Sequence, residues 1–165
     1  MENWDLIPFK SVGPIFFTDT REDIINKFGE PKRILPENKY TGESFDFYWG
    51  DICFSKKTKE VYVVSPSDQN KCKILYEDLN LNVLDYKKIV TELFHKGHEI
   101  YGNFSSFPEY VDKTLGVGFI THESNIDDTI ELECLGIWSQ EAVPDFNDKK
   151  LCPDDILITR EDQII

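Results

Sequence analysis

A chain of 165 residues with 40% hydrophobic content is long enough to form one domain that buries its core without disulfide or metal staples. Its formal net charge of -13 is carried unevenly: residues 1–82 hold 14 acids and 11 bases, whereas residues 83–165 hold 17 acids and 7 bases, a net of -10. Such a surface repels phosphate backbones and anionic lipid, so nucleic acid and membrane are excluded as expected partners and a basic protein is favoured.

Gly13 to Pro31 is the most informative stretch, because it packs a strand, a capped helix and a stop into nineteen residues. Thr20 can accept from the backbone N–H of Asp23 while Asp23 reaches back, a short-chain capping box that starts a helix near Arg21. Ile24, Ile25 and Phe28 form its apolar stripe, Gly29 supplies a positive-φ residue after the last turn, and Pro31 prevents resumption. Phe45, Phe47 and Trp49 then alternate with polar neighbours as a strand. Gly50-Asp51 reads as a tight turn into Ile52 to Phe54, and Lys56 to Lys59 as a second turn into Val61 to Val64, which predicts a three-stranded antiparallel meander. Ile74 to Leu81 reads as a link.

The theme then returns. Asp85 is a plausible N-cap, and Ile89, Val90, Leu93 and Phe94 form a stripe that ends at Gly97, a second helix of about three turns. Short strands follow at Glu99 to Tyr101 and Leu115 to Thr121, with Phe107 to Tyr110 as a connection and Asn125 to Asp128 as a turn. From Thr129 to Trp138, Ile130, Leu132 and Cys134 alternate with Glu131 and Glu133, giving an apolar face and an anionic one until the register softens at Leu135-Gly136. From Glu141 onward Pro144 and Pro153 break the pattern, and Ile156 to Ile158 is an edge strand or a docking tail. The expected fold is α+β: a single domain, 1–165, of two consecutive helix-plus-antiparallel-meander units, about 12–82 and 83–140. They form one mostly antiparallel sheet with the helices on one face, followed by an irregular tail, 141–165.

Little in the chain signals chemistry. Cys53, Cys72, Cys134 and Cys152 form no Cys-x-x-Cys pair and read as free thiols. No run of about 18 apolar residues could span a bilayer, and Met1 to Pro8 lacks the basic start and apolar core of a signal peptide, so cytoplasmic residence is expected. His95 and His98 are three apart, but Gly97 between them spoils a helical metal site, and no third ligand is spaced to complete it. Gly116-x-Gly118 lacks the third glycine of a dinucleotide loop, and no Gly-x-Ser-x-Gly elbow is present. No catalytic residue, metal or cofactor is therefore assigned. Glu123, Asp127, Asp128, Glu131 and Glu133 instead cluster around one turn and strand, flanked by Trp138. Acid plus aromatic suits docking onto a lysine- or arginine-rich protein surface; a solvated strand face is the plainer use of the same residues.

The Gly-x-Ile-x-Phe start, Thr-Arg-Glu-Asp helix opening, Phe-Gly-Glu-Pro exit and following meander resemble the bacterial helix-plus-meander modules of β-lactamase-inhibitor-like and outer-membrane assembly lipoprotein-like proteins. The second unit resembles their tandem versions, and the resemblance covers residues 12 to 138. An acidic chain without a lipoprotein signal is most similar to small immunity proteins of bacterial contact-dependent or secreted toxin systems. That resemblance implies one-to-one binding of a cognate toxin domain, often a basic nuclease, and transfers no site residue. The alternatives are a regulatory or structural interaction module without a toxin partner, and a small hydrolase using carboxylates. Oligomeric state is not read from the sequence.

Overall fold

The structure is a computed structural model, and it describes residues 2–35, 44–66, 72–82, 86–103, 109–123, 130–143 and 149–151. Among the described residues the fold is mixed α/β and mostly strand, with two helices. Chain order begins β1 (Glu2–Ile7), β2 (Ser11–Val12), β3 (Ile15–Phe16), α1 (Arg21–Phe28), β4 (Arg33–Leu35), β5 (Ser44–Phe47), β6 (Gly50–Phe54), β7 (Val61–Pro66), β8 (Cys72–Tyr76) and β9 (Leu79–Asn80). It continues with α2 (Tyr86–His95), β10 (Ile100–Asn103), β11 (Glu109–Asp112), β12 (Val117–Glu123), β13 (Ile130–Trp138) and β14 (Lys149–Lys150).

Helix α1 forms where its caps dictate. The Thr20 side chain accepts from Asp23 N at 3.3 Å, and the Asp23 carboxylate accepts from Thr20 N at 2.9 Å. The Thr20 hydroxyl, at 2.7 Å, and the Thr20 N–H both donate to the Asp23 carboxylate and hold it below its ordinary range. Ile24 is fully buried, and Gly29 ends the helix at φ 78°, donating its N–H to Ile25 O. Arg21 fastens the helix start to the sheet: its guanidinium makes bonds of 2.7 and 2.8 Å to both Asp46 oxygens and one of 2.8 Å to Ser44 Oγ, while stacking over Phe54. A fork-to-fork pair on a fully buried Asp46 has fixed geometry, so the two-turn helix gains from tertiary contacts what its length denies it.

Two sheets form, where one was expected. The larger has the order β14-β10-β11-β12-β13-β7-β6-β5-β4, so the meanders β4–β7 and β10–β13 join through their last strands. Every pairing in it is antiparallel. The smaller has the order β3-β2-β1-β8-β9, with β1 and β8 parallel. The N-terminal strand carries no turn signal of its own and forms because Trp4 and Leu6 face the core and the backbone finds β8, far away in sequence. The Ile74 to Leu81 link is a tight hairpin, β8–β9, turned by Glu77 at φ 55°. The turn expected at Gly50-Asp51 lies two residues earlier, at Tyr48-Trp49, because Gly50 is pressed against the Ser65 carbonyl and already belongs to β6. Glu109 and Tyr110, expected in a connection, belong to β11, and β14 brings part of the tail back to pair with β10. Asp85, Asn125 to Asp128 and Ile156 to Ile158 lie outside the described residues.

One continuous core connects both sheets and both helices, running from Trp4 and Ile24 through Ile52, Ile74 and Leu93 to Tyr110, Phe119 and Ile137. Trp4, Phe28, Tyr48 and Trp49 pack ring to ring at one end of it, with tilted and edge-on geometries. Tyr48 also donates its hydroxyl to Gly29 O at 3.1 Å, and burial pushes that phenol up to about 12.

Candidate partner-binding surface

The carboxylates singled out by the sequence belong to the β12–β13 hairpin. Its register runs Val117 opposite Ile137, Gly118 opposite Gly136, Phe119 opposite Leu135 and Ile120 opposite Cys134, then slips to Thr121 opposite Leu132, His122 opposite Glu131 and Glu123 opposite Ile130. Glu133 is the extra residue, a β-bulge. The bulge accounts for the softening of the pattern: Ile130 and Leu132 occupy even positions, yet beyond it the core is filled by the odd positions Leu135 and Ile137. With one residue inserted, all four occupy backbone positions on the same face, and Cys134 moves to the other.

That register separates residues expected together. Glu131 shares a face with its partner His122, whereas Glu123 and its partner Ile130 occupy the opposite one, and Glu133 sits in the bulge between. Asp127 and Asp128 lie outside the described residues, in the connection that joins the strands. The described part of the hairpin thus places Glu123 and Glu131 at its last rungs, on backbone positions of opposite faces.

Trp138, expected beside them as an exposed anchor, is buried, with 8% of its surface exposed. Its indole lies across Gly118 and Gly136, so closely that a Cβ at Gly118 would fall 2.0 Å from the ring. Val111, Ala142, Tyr62, Val63 and Val143 complete a second, smaller cluster around it. Trp138 packs the outer face of the sheet and leaves little surface to offer a partner.

Other polar groupings lie elsewhere. His98 Nδ1 stands 2.8 Å from Asp112 Oδ2 across the junction of α2, β10 and β11, and Tyr76 of β8 meets the imidazole edge-on. The separation is that of an ion pair, but among the described residues neither atom has a partner in hydrogen-bond geometry, so the attraction is electrostatic more than directional. Burial raises the Asp112 carboxyl, opposed by N–H bonds from Leu115 and Thr114 and by the His98 charge. The same burial, with Glu77 and Asp112 nearby, raises the Tyr76 phenol. The sequence offers His98 only as half of a spoiled metal pair and gives Asp112 no motif; its one local signal is an aspartate two and three residues ahead of turn N–H groups. Lys96 is held between Glu77 at 2.7 Å and Asp78 at 3.0 Å, which raises the amine. Among the described residues no group of three or more His, Cys, Asp or Glu side chains is placed to hold a metal, and no helix is long and apolar enough to cross a membrane. Cys53 and Cys72 are buried and Cys134 is half-buried.

No family model, curated protein or solved structure matches the chain.

Proposed function

We propose that this protein is an immunity or inhibitor protein that binds a cognate, basic bacterial toxin domain and neutralises it with the acidic end of the β12–β13 hairpin. The observation that carries the reading is the coincidence of charge and topology. The half of the chain with a net of -10 contributes the hairpin, whose last rungs hold Glu123 and Glu131, whose bulge holds Glu133 and whose connection holds Asp127 and Asp128. Carboxylates at one end of a rigid sheet steer a cationic surface into register, and they raise association rate and specificity more than bulk affinity. The strand order supports the tandem form of the resemblance, since each helix is followed by a meander and the two meanders abut through β7 and β13.

Where a large secreted protein is encoded immediately upstream, titration calorimetry against its C-terminal domain tests the reading at two salt concentrations. Nanomolar one-to-one binding that weakens with salt is expected. Charge reversal at Asp127, Asp128, Glu131 and Glu133 together should slow association by roughly tenfold or more at low salt, with the loss shrinking as salt rises. Unchanged affinity in that variant would remove the hairpin as the interface, and absence of binding by the wild type would remove the toxin partner.

A further inference from the structure

A second feature suits a partner of different shape. Between α2 and the β8–β9 hairpin lies a cleft of about 550 Å³, within the range of built ligand sites, with Leu79 and Ile89 as its apolar part and Asn80, Lys88, Glu92 and Lys96 as its polar part. β9 is the last strand of the smaller sheet, so one side of it is unpaired among the described residues. Leu81 N donates to Ile74 O at 2.8 Å, Asn80 stands opposite Leu75 and Leu79 opposite Tyr76. Hydrogen-bonded and non-bonded pairs alternate in an antiparallel ladder, which turns the backbone N–H and C=O of Asn80 away from β8, toward the open edge. Asn80 Oδ1 is itself buried with no partner among the described residues. Buried polar groups are normally paired, so an acceptor left without a donor beside an open strand edge marks a place where a donor is missing.

A carboxylate in the cleft favours a cationic donor. Lys96 is already neutralised by Glu77 and Asp78, Lys88 and His95 also line the cleft, and Glu92 on the α2 wall is a carboxylate with no ion pair among the described residues. We propose that this cleft binds an extended peptide, which adds as a strand beside Leu79–Asn80 and sets a lysine or arginine side chain against Asn80 Oδ1 and Glu92. Strand addition draws affinity from backbone bonds and specificity from the pockets beside them. Here the apolar floor takes one side chain of the peptide and the Asn80–Glu92 pair takes a cationic one. The site is separate from the hairpin and does not depend on the toxin reading.

The probe is the synthetic peptide acetyl-Val-Lys-Val-Arg-Val-amide, titrated into the ¹⁵N-labelled full chain and followed by amide chemical shifts. Saturable shifts are expected at Leu79, Asn80 and along residues 88–96. They should vanish with the same peptide N-methylated at alternate residues, which cannot donate to a strand edge, and with glutamate in place of both basic residues. Asn80→Ala and Glu92→Gln should each weaken binding by roughly tenfold, the loss of one buried or charge-assisted bond. No shifts at millimolar peptide, equal shifts with the N-methylated peptide, or equal binding of the acidic peptide would each overturn the proposal. The three-peptide comparison on the wild type decides even where a variant fails to fold. A hairpin charge-reversal variant should leave the cleft shifts unchanged; loss of them there would also overturn it, by merging the two sites.

Discussion

Asp112 has no exposed surface, accepts two backbone N–H bonds that shape the turn after β11, and faces His98 with its other oxygen. The caps need only an acceptor, whereas the charge carries a burial cost, and that burial is the leading cause of its raised carboxyl. A carboxyl whose folded-state affinity for a proton exceeds its unfolded one stabilises the fold below the unfolded value, 3.8, and loses that contribution as pH climbs through the raised one. The D112N variant keeps an acceptor at Oδ1 and has no such loss. Relative to wild type it should therefore gain stability as pH climbs above 3.8, at about 1.4 kcal/mol for each tenfold difference in proton affinity. Urea midpoints of both proteins across that range check this, and a constant difference would mean that the caps, not the charge, set the role of Asp112.

The β12–β13 hairpin is held together by an inverted arrangement of sizes, a large ring laid over two glycines that face each other across the ladder. Gly118→Ala puts a methyl where the indole now lies, so either the ring leaves the face it covers or the strands part. Overpacking of this kind costs about 1–3 kcal/mol. Chemical denaturation should register that loss in the wild-type background and much less of it in a Trp138→Leu background, where the ring is gone; equal losses in both would show that the strain comes from the backbone. The example also marks how far sequence reading reaches. α1 was legible because Thr20, Asp23, Gly29 and Pro31 act within a few residues of one another, and the β5–β7 meander because each strand alternates beside a short turn. The bulge at Glu133, the burial of Trp138 and the pairing of β1 with β8 were not, since each depends on what stands opposite in space: Ile120 and Thr121, Gly118, and a strand some seventy residues on. The candidate acids were found as residues, but their division between faces needed the register.

Across the whole molecule, charge is sorted along the strand direction. Val64 pairs with Ile137 and Val63 with Trp138, so the β6–β7 turn with Lys56, Lys57 and Lys59, and the β11–β12 turn with Lys113, lie at the end opposite the acidic tip of β12–β13. Glu60 and Glu141 temper the lysine end. Nine residues of β13 separate the ends by roughly 30 Å, several times the Debye length of about 8 Å at physiological salt. A cationic partner of the kind proposed would thus be attracted by the hairpin acids with little opposition from the far lysines. The same excess of like charge presses the fold apart, because a net of -13 on a small domain repels itself while partly buried pairs such as Arg21–Asp46 are shielded less by salt. Raising sodium chloride from about 0.01 M to about 0.5 M should therefore stabilise the free protein, by about 1 kcal/mol or a rise of about 2–4 °C in Tm. Chloride is the salt to use, since sulfate strengthens apolar burial by itself. A flat or falling Tm would mean that local pairs such as Lys96 with Glu77 and Asp78 already offset the repulsion, and that the acidity serves binding without burdening the fold.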